Sequence, residues 1–303
     1  MEFFSTFQFK KFFYELYDKA FDTDVFNHSA QVAFYFSFSF FPLLLFLISV
    51  FGMVLESTDS LRQELFIYLA QIMPGSAYEL VHKTVDEIVE TGTGGKLTLG
   101  LAVTLWSASA GVDSLRSSLN AVYELKEGRS WWHTKLQSLV MTLLFILLIA
   151  VAVAGVTSGW KAVQFLLGGL GLEITSPLIL VSIQWSAIIV IMLFATGVIY
   201  SWLPCFKKFK WVWISPGALV AIILWIALTA GFRLYLQYFN TYNKAYGSLG
   251  AVIILMLWMY LTAMAILIGG AINSVLKEMA EMDENENQEK AKLERETNIP
   301  SPS

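Results

Sequence analysis

Long apolar runs alternate with short polar connections along most of the chain. The longest run extends from Ala245 to Leu276 and contains 32 residues without an Asp, Glu, Lys or Arg. A helix needs only ~20 apolar residues to cross a bilayer. Runs of this kind predict six membrane-spanning helices, at about residues 30–55, 97–123, 136–160, 177–203, 212–238 and 247–276.

Three polar stretches outside these spans have patterns of their own. In the segment 1–29, aromatic residues recur on one face of a predicted helix and lysines on the other. This pattern favours a helix in the lipid headgroup layer, and packing against cytosolic loops is the alternative. The connection 56–96 predicts two short amphipathic helices across the outer membrane surface, separated by Pro74-Gly75. Residues 277–303 are almost wholly charged or polar and predict a disordered acidic cytoplasmic tail.

The composition agrees with this pattern. Apolar residues make up 56% of the chain and charged residues only 15%, whereas soluble domains carry about 25% charged residues. The predicted fold class is therefore an all-α polytopic membrane protein. The net charge of −4 offers no basic surface for nucleic acid. A single cysteine, Cys205, excludes an intramolecular disulfide and a cysteine-based metal site.

Basic residues indicate how the six spans are oriented. The segment before the first span, the second and fourth connections and the tail hold thirteen Lys and Arg residues, and the other three connections hold five. Because cytoplasmic loops carry an excess of Lys and Arg, both termini are expected in the cytoplasm.

The second predicted span contains charged residues. Asp113, Arg116 and Asn120 share one face of a helix that begins near Leu97. At a rise of ~1.5 Å per residue, Asp113 lies roughly 24 Å along that helix. Charged groups at such depth usually face the protein interior and pair with each other, and Asp113 and Arg116 have the i,i+3 spacing for this. The alternative is that the helix leaves the membrane here and the face is solvated.

The last two spans carry further polar positions. Arg233 either extends to the outer headgroups or reaches a polar interior. The turn that follows it forms a polar and aromatic cluster at the predicted outer boundary, and Asn273 follows Gly269-Gly270 at the inner end. The candidate intramembrane polar residues, which would line a substrate path, are Asp113, Arg116, Asn120, Arg233, Asn240, Tyr242, Asn243, Tyr246 and Asn273.

The sequence lacks several common catalytic motifs. The chain has no GxSxG or HExxH motif and no paired intramembrane aspartates. The glycines before Lys96 lack the residues that a phosphate-binding loop needs. Its three histidines, His28, His82 and His133, are scattered over different segments. We therefore expect no catalytic residue, no metal and no cofactor, and a protein that is not an enzyme.

Three blocks of sequence carry a family resemblance. They are SAQVAFYFSFSFFPLLLFL, LWSASAGVDSLRSSLNAVYE and YFNTYNKAYGSLGAVIILMLWMYLTAMAILIGGAINS. With them the chain resembles, over about residues 20–277, the bacterial YihY family of inner-membrane proteins, also called the BrkB virulence-factor family. The resemblance implies a location in the bacterial cytoplasmic (inner) membrane and a link to the cell envelope and its lipids. It brings no catalytic residues. The family's former label, ribonuclease BN, disagrees with this sequence, because RNA hydrolysis calls for a basic groove.

Two functions fit these observations. The first is a transporter or a flippase-like handler of a lipid or other amphipathic envelope component, which would use the polar residues inside the bundle. The second is a non-transporting membrane scaffold or envelope assembly factor, in which the same residues only hold helices together. Membrane lipids are the expected partners in both cases, and nucleic acid is not. The sequence predicts neither a protein partner nor an oligomeric state.

Overall fold

A computed structural model describes the backbone of residues 9–54, 97–168, 177–206, 214–238 and 248–297, and ten isolated positions between 63 and 83. Within these ranges side chains are not described at 44, 45, 47–54, 97–101, 153–168, 177–181, 183, 184, 248, 249, 286, 287, 289 and beyond. The described ranges are helical, with short turns between helices. Seven helices have defined bounds: α1 (Phe9–Asp22), α2 (Val25–Val54), α3 (Leu97–Val122), α4 (Trp131–Gly168), α5 (Pro177–Trp202), α6 (Pro216–Tyr238) and α7 (Ser248–Thr297).

Four segments among the described residues are long and apolar enough to cross a membrane. They are Trp131–Ala152, Trp185–Trp202, Pro216–Tyr238 and Gly250–Asn285. These segments lie in α4, α5, α6 and α7 and correspond to the last four predicted spans. Helices α2 and α3 occupy the positions of the first two predicted spans. The protein is thus a helical membrane protein, and the total of six spans stays a prediction.

The helices pack around α2, α3 and α7. Helix α3 lies against α2 on one side and α4 on the other, and α7 lies against α6, α2 and α1. One buried cluster joins Leu115 and Leu119 of α3 to Leu203 and to Leu267 of α7. A second cluster surrounds Leu255 and includes residues of α2, α4, α6 and α7. These two clusters form the apolar interior on which the polar groups are mounted.

Several helix ends meet at one end of this bundle. The end of α3 contacts the segment after α5, since the Cys205 N–H donates to Asn120 Oδ1 at 2.8 Å. The beginning of α6 contacts α7, since the Gly217 N–H donates to Asn273 Oδ1 at 2.9 Å. Helix α1 reaches the same place through Lys19, which contacts Glu124 and Glu278. We call this part of the molecule the charged end.

The structure corrects two predicted boundaries. Helix α4 begins at Trp131 and continues to Gly168, whereas the sequence predicts a span over 136–160 and a non-spanning connection from there to the next span at 177. The earlier start follows from Ser130, whose carbonyl accepts the N–H of Thr134 and so opens the helix. The helix continues past 160 because glycine lowers helix propensity by only ~1 kcal/mol and no proline occurs between 160 and Pro177.

The second correction concerns the C-terminal segment. Helix α7 continues to Thr297, so the predicted disordered tail over 277–303 is helical as far as that residue. The segment is rich in Glu and also contains several Lys, which are good helix formers, and it has no Gly or Pro before Pro300. Lys277 and Glu281 form an i,i+4 ion pair at 3.8 Å. The high charge of this segment predicts disorder, but the same residues also favour a continuous helix.

Part of the predicted organisation lies outside the described residues. The two amphipathic helices expected in the outer connection 56–96 stay a prediction, because only isolated positions there are described. Helix α1 buries Lys19 and packs Leu16 and Ala20 against the bundle, while Phe13 and Tyr17 are exposed. Its placement in a headgroup layer also stays a prediction.

Candidate functional site

The Glu127 carboxylate forms the centre of a polar cluster at the charged end. It accepts hydrogen bonds from Arg116 of α3 and from the Nε and Nη2 atoms of Arg129, both at 2.8 Å. Asn120 Nδ2 donates to the same carboxylate at 3.0 Å. Glu127 therefore joins the end of α3 to the turn that leads into α4.

The pair predicted within the second span is formed. Arg116 Nη2 donates to Asp113 Oδ1 at 2.8 Å, and its Nε donates to the same oxygen at 3.1 Å. Arg116 is buried, whereas the Asp113 side chain is 39% exposed. Ser138 of α4 also donates to Asp113, at 3.3 Å. Arg116 is thus a buried cation between two carboxylates, which is how proteins tolerate such a charge.

A helix-terminating motif positions Asn120 and the turn. The Leu125 N–H donates to the Asn120 carbonyl at 2.7 Å, and the Glu124 N–H donates to the Ala121 carbonyl at 3.0 Å. This pattern is a Schellman motif, whose left-handed position here is Glu124 with φ of 53°. The motif turns the chain so that Glu127 comes back over Asn120. The Asn120 side chain then bonds Glu127 on one side and Cys205 on the other.

Arg129 links this cluster to the end of α5. Its Nη1 atom donates to Gln137 Oε1 at 2.6 Å, and its Nη2 atom donates to the Leu203 carbonyl at 3.2 Å. Gln137 in turn donates to the Trp202 carbonyl. The last carbonyls of a helix have no partner within it. Arg129, in the turn before α4, and Gln137 of α4 supply hydrogen-bond donors to the end of α5.

A cavity of about 500 Å³ lies beside these contacts, between the beginning of α4 and the end of α5. Its lining combines polar and apolar side chains: Arg129, His133, Leu136, Gln137, Val140, Ser201, Trp202, Pro204, Cys205 and Phe206. Small-molecule sites commonly have volumes of ~300–1,000 Å³ and a mostly apolar wall with a few polar groups. The volume of the cavity falls within this range, and its wall contains groups of both kinds.

The contacts with Arg129 stabilise the ionised form of the Glu127 side chain. Hydrogen bonds from Arg129 lower the pKa of Glu127 from 4.5 to about 2, against an opposing effect of burial. The reciprocal hydrogen bonds from Glu127 raise the pKa of Arg129. The cluster consequently keeps its ion pairs across the neutral pH range.

Asn273 has a different position from Asp113, Arg116 and Asn120. Its Oδ1 atom accepts the Gly217 N–H, and its Nδ2 atom donates to Ser215 Oγ at 3.0 Å. The Ser215 hydroxyl accepts the Ala218 N–H at 3.1 Å. Asn273 and Ser215 thus cap the beginning of α6, where the first N–H groups have no partner within the helix.

Arg233, the other candidate that the structure describes, does not join the charged end. Arg233 lies 17 residues beyond Pro216 in α6, or about 25 Å along that helix at ~1.5 Å per residue. The other predicted positions are outside the described residues: Asn240, Tyr242, Asn243 and Tyr246. Of the nine candidates, the structure brings together Asp113, Arg116 and Asn120 and places Asn273 at the same end.

Sequence reasoning missed four residues of this site. In the sequence pattern, Arg129 and Lys135 contribute only as basic residues of the second connection, Glu127 is not distinguished, and Gln137 falls inside the third predicted span. Lys135 is buried within α4, where its Nζ atom donates to Ser109 Oγ of α3 at 2.7 Å. The one available signal was the Trp131-Trp132 pair, since tryptophans mark the membrane interface and hence the beginning of a helix. Among the described residues, no group of three or more His, Cys, Asp or Glu is arranged to hold a metal ion.

Comparisons with known proteins agree on the family. The chain is 30% identical over 260 residues to the Putative ribonuclease-like protein YfkH of Bacillus subtilis (strain 168), covering 86% of this chain and 93% of the relative. No solved structure matches the chain. The profile of the family described as Virulence factor BrkB matches residues 16–294. This match covers most of the protein, including every described residue of the charged end, and the chain belongs to the Virulence factor BrkB family.

Proposed function

We propose that this protein handles a lipid or another amphipathic component of the cell envelope as a transporter or flippase-like protein of the cytoplasmic membrane. The observation that carries the proposal is the cavity between α4 and α5, whose wall is polar at Arg129 and Gln137 and apolar at Leu136 and Val140. A molecule with a polar head and an apolar chain matches such a wall better than a purely polar solute does.

The surface of α4 extends this apolar wall away from the cavity. Exposed apolar side chains follow Leu136 and Val140 at Leu143, Leu147 and Val151, which is the i,i+3/i+4 spacing of a single helix face. This stripe leads from the polar cluster along the membrane-spanning segment of α4. It supports a placement in which a polar head enters the cavity while an acyl chain lies along α4.

The charge distribution orients the proposed site. Cytoplasmic termini follow from the basic residues of the connections. In that orientation the charged end faces the cytoplasm and the cavity meets the inner leaflet. An envelope lipid made in the inner leaflet would then enter the protein at the cavity.

Lipid translocation in proteoliposomes tests the proposal. We expect the purified protein to accelerate the exchange of a fluorescent phospholipid between leaflets, as measured by chemical quenching of the outer-leaflet label. Val140→Trp should reduce this rate at least fivefold, because the indole ring would fill the cavity. Ile223→Trp is the matched control, since Ile223 is an exposed apolar residue of α6 away from the cavity.

The controls make the outcomes decisive. A wild-type rate no greater than that of empty liposomes would contradict lipid translocation. Equal rates for wild type and Val140→Trp would show that lipid translocation does not depend on the cavity. If Ile223→Trp reduced the rate as well, the effect would come from a bulky side chain on the lipid-facing surface and not from filling the cavity.

A scaffold or assembly function is the second candidate. The observation in its favour is that buried polar groups bond across helices, as Asn120 of α3 does with the segment after α5 and as Asn273 of α7 does with the beginning of α6. Polar contacts of this kind hold membrane helices together without any substrate. A stable protein that moves no lipid in the proteoliposome assay would favour this function.

We also propose that the protein is not an enzyme. The name of the Bacillus subtilis relative contains the words ribonuclease-like, so the proposal needs a direct test. Incubation of the purified protein with tRNA in the presence of divalent cations should leave the RNA intact. RNA cleavage that co-purifies with the protein and is abolished by a substitution in it would overturn this proposal.

A further inference from the structure

A second polar group lies on the opposite face of α4 from the cavity. Lys135 is 8% exposed, and its Nζ atom donates to Ser109 Oγ at 2.7 Å and to the Trp106 carbonyl at 3.4 Å. The same atom lies 4.4 Å from the centre of the Trp106 ring. These contacts hold the ammonium group between α3 and the first turns of α4.

The Lys135 ammonium group donates its hydrogen bonds to neutral acceptors. Among the described residues, no carboxylate oxygen forms an ion pair with Lys135. Asp113 is the nearby acid, but its Oδ1 atom already accepts bonds from Arg116 and Ser138. The polar cluster between α3 and α4 therefore contains three cations, Arg116, Arg129 and Lys135, and two carboxylates, Asp113 and Glu127. Its formal charge is +1, and Lys135 is the cation without a carboxylate of its own there.

Three exposed indoles form a chain of ring contacts that begins at this lysine. The ring of Trp106 lies 6.0 Å from that of Trp131, and the ring of Trp131 lies 4.6 Å from that of Trp132. All three rings are exposed, Trp132 most of all. Tryptophan prefers the level of the lipid headgroups, where the ring contacts acyl chains and the N–H meets polar groups. The indoles thus place Lys135 at the depth of the headgroups, one helical turn inside the start of α4.

We propose that Lys135 and the three indoles form a binding site for the headgroup of an anionic phospholipid. The lysine supplies the charge that attracts the phosphate, and its bonds to Ser109 and the Trp106 carbonyl hold it in place. The indoles supply apolar walls and N–H donors. A zwitterionic lipid carries its own ammonium group and gains less from an uncompensated lysine. The occupant is a structural or regulatory lipid, on a face of α4 that the cavity does not share.

Quenching of tryptophan fluorescence by brominated lipids tests this site. The protein is reconstituted into phosphatidylcholine vesicles that contain a minor fraction of either brominated phosphatidylglycerol or brominated phosphatidylcholine. The wild type should be quenched more strongly by the anionic lipid. Lys135→Met should weaken the apparent affinity for phosphatidylglycerol about tenfold, since it removes the cation of the cluster that has no carboxylate of its own. Lys277→Met, at an exposed lysine of the charged end, should keep the wild-type preference.

Further variants keep the test decisive if Lys135→Met does not fold. The double variant Trp131→Phe/Trp132→Phe changes only exposed rings, and it should lose most of the excess quenching. Equal quenching of the wild type by the two lipids would overturn the proposal. So would an excess that survives in the double variant or in a folded Lys135→Met protein. Because quenching is read without lipid translocation, its result is independent of the function proposed for the cavity.

Discussion

Glu127 is the residue on which the contacts of the charged end converge. Side chains from the end of α3 and from Arg129 donate to its two oxygens, so that a single carboxylate compensates two guanidinium groups. Without Glu127, the buried Arg116 would keep Asp113 alone, and Arg129 would lose its carboxylate partner among the described residues, and removing one partner from a buried charge is costly. The stability of this end is therefore expected to be sensitive to one acidic side chain in a turn.

Glu127→Gln should lower the stability of the protein by about 1–3 kcal/mol at neutral pH, because charged hydrogen bonds are lost and two arginines keep fewer partners. The folded-state pKa of about 2 lies below the ordinary 4.5. The contribution of Glu127 is thus complete above the ordinary pKa and is lost as the pH falls from there through about 2. The Tm difference between wild type and Glu127→Gln, measured in detergent, should shrink below about pH 4.5.

Glu281→Gln is the matched control for this prediction. Glu281 is an exposed acid whose partner Lys277 lies 3.8 Å away on the same helix, and exposed pairs of this kind contribute little. Its Tm should stay close to that of the wild type at every pH. A Glu127→Gln protein as stable as Glu281→Gln would show that Arg116 and Arg129 find other partners.

At the scale of helices, the crossing of α6 and α7 depends on glycine. A Cβ atom on Gly269 would lie 2.5 Å from the Gly217 carbonyl oxygen and 2.8 Å from the Cβ of Ala221. A Cβ atom on Gly217 would meet the Gly269 carbonyl and the Asn273 side chain. Small residues allow membrane helices to approach closely. The approach here brings Asn273 within reach of the beginning of α6, so packing and capping depend on each other.

Gly269→Ala should destabilise the protein by about 1–3 kcal/mol, because the added methyl group overlaps backbone atoms that cannot move without separating the helices. Gly231→Ala in α6 is the control, since a Cβ atom there would meet nothing within 4 Å. Alanine favours a helix over glycine by up to ~1 kcal/mol, so this variant should be as stable as the wild type or more so. Thermal unfolding in detergent distinguishes the two, and equal Tm values would refute the tight crossing.

At the scale of the whole molecule, Lys19 joins three separate parts of the chain. Its Nζ atom lies 2.6 Å from Glu124 Oε1 and 2.7 Å from Glu278 Oε1. Glu124 lies just after the last residue of α3. Glu278 belongs to the part of α7 that continues beyond residue 276, where the last predicted span ends. Burial by itself lowers the pKa of Lys19, but the hydrogen bonds with the two carboxylates outweigh it and the pKa is raised. The lysine therefore stays charged and fastens α1 to the bundle.

Lys19→Met should release α1 without unfolding the membrane-spanning helices. Hydrogen–deuterium exchange of residues 9–22 should become at least tenfold faster, while exchange in α3 and α6 should change little, because local opening follows the lost contacts. Lys11→Met, at an exposed position of the same helix, should leave exchange unchanged. Protection of 9–22 that is the same in both variants would show that Leu16 and Ala20 are sufficient to hold α1.

The sequence by itself determined the class of the protein and the approximate position of its helices. Apolar runs longer than a bilayer is thick leave a chain few alternatives to membrane helices, and α3 and α5 begin where the pattern predicts. The i,i+3 spacing was sufficient to predict the pair of Asp113 and Arg116, because both residues belong to one helix. Family membership also followed from the sequence, through blocks of residues within the matched region.

Only the tertiary structure decided which polar groups act together. Glu127, Arg129 and Gln137 meet the ends of α3 and α5 because a Schellman turn reverses the chain at Glu124, and no periodicity encodes that reversal. Lys135 became a buried residue because α4 begins at Trp131, five residues before the apolar run that predicted it. Asn273 caps α6 because two glycines let the helices approach. These contacts join residues far apart in the chain, and their geometry depends on helix packing, which a pattern along a single helix does not contain.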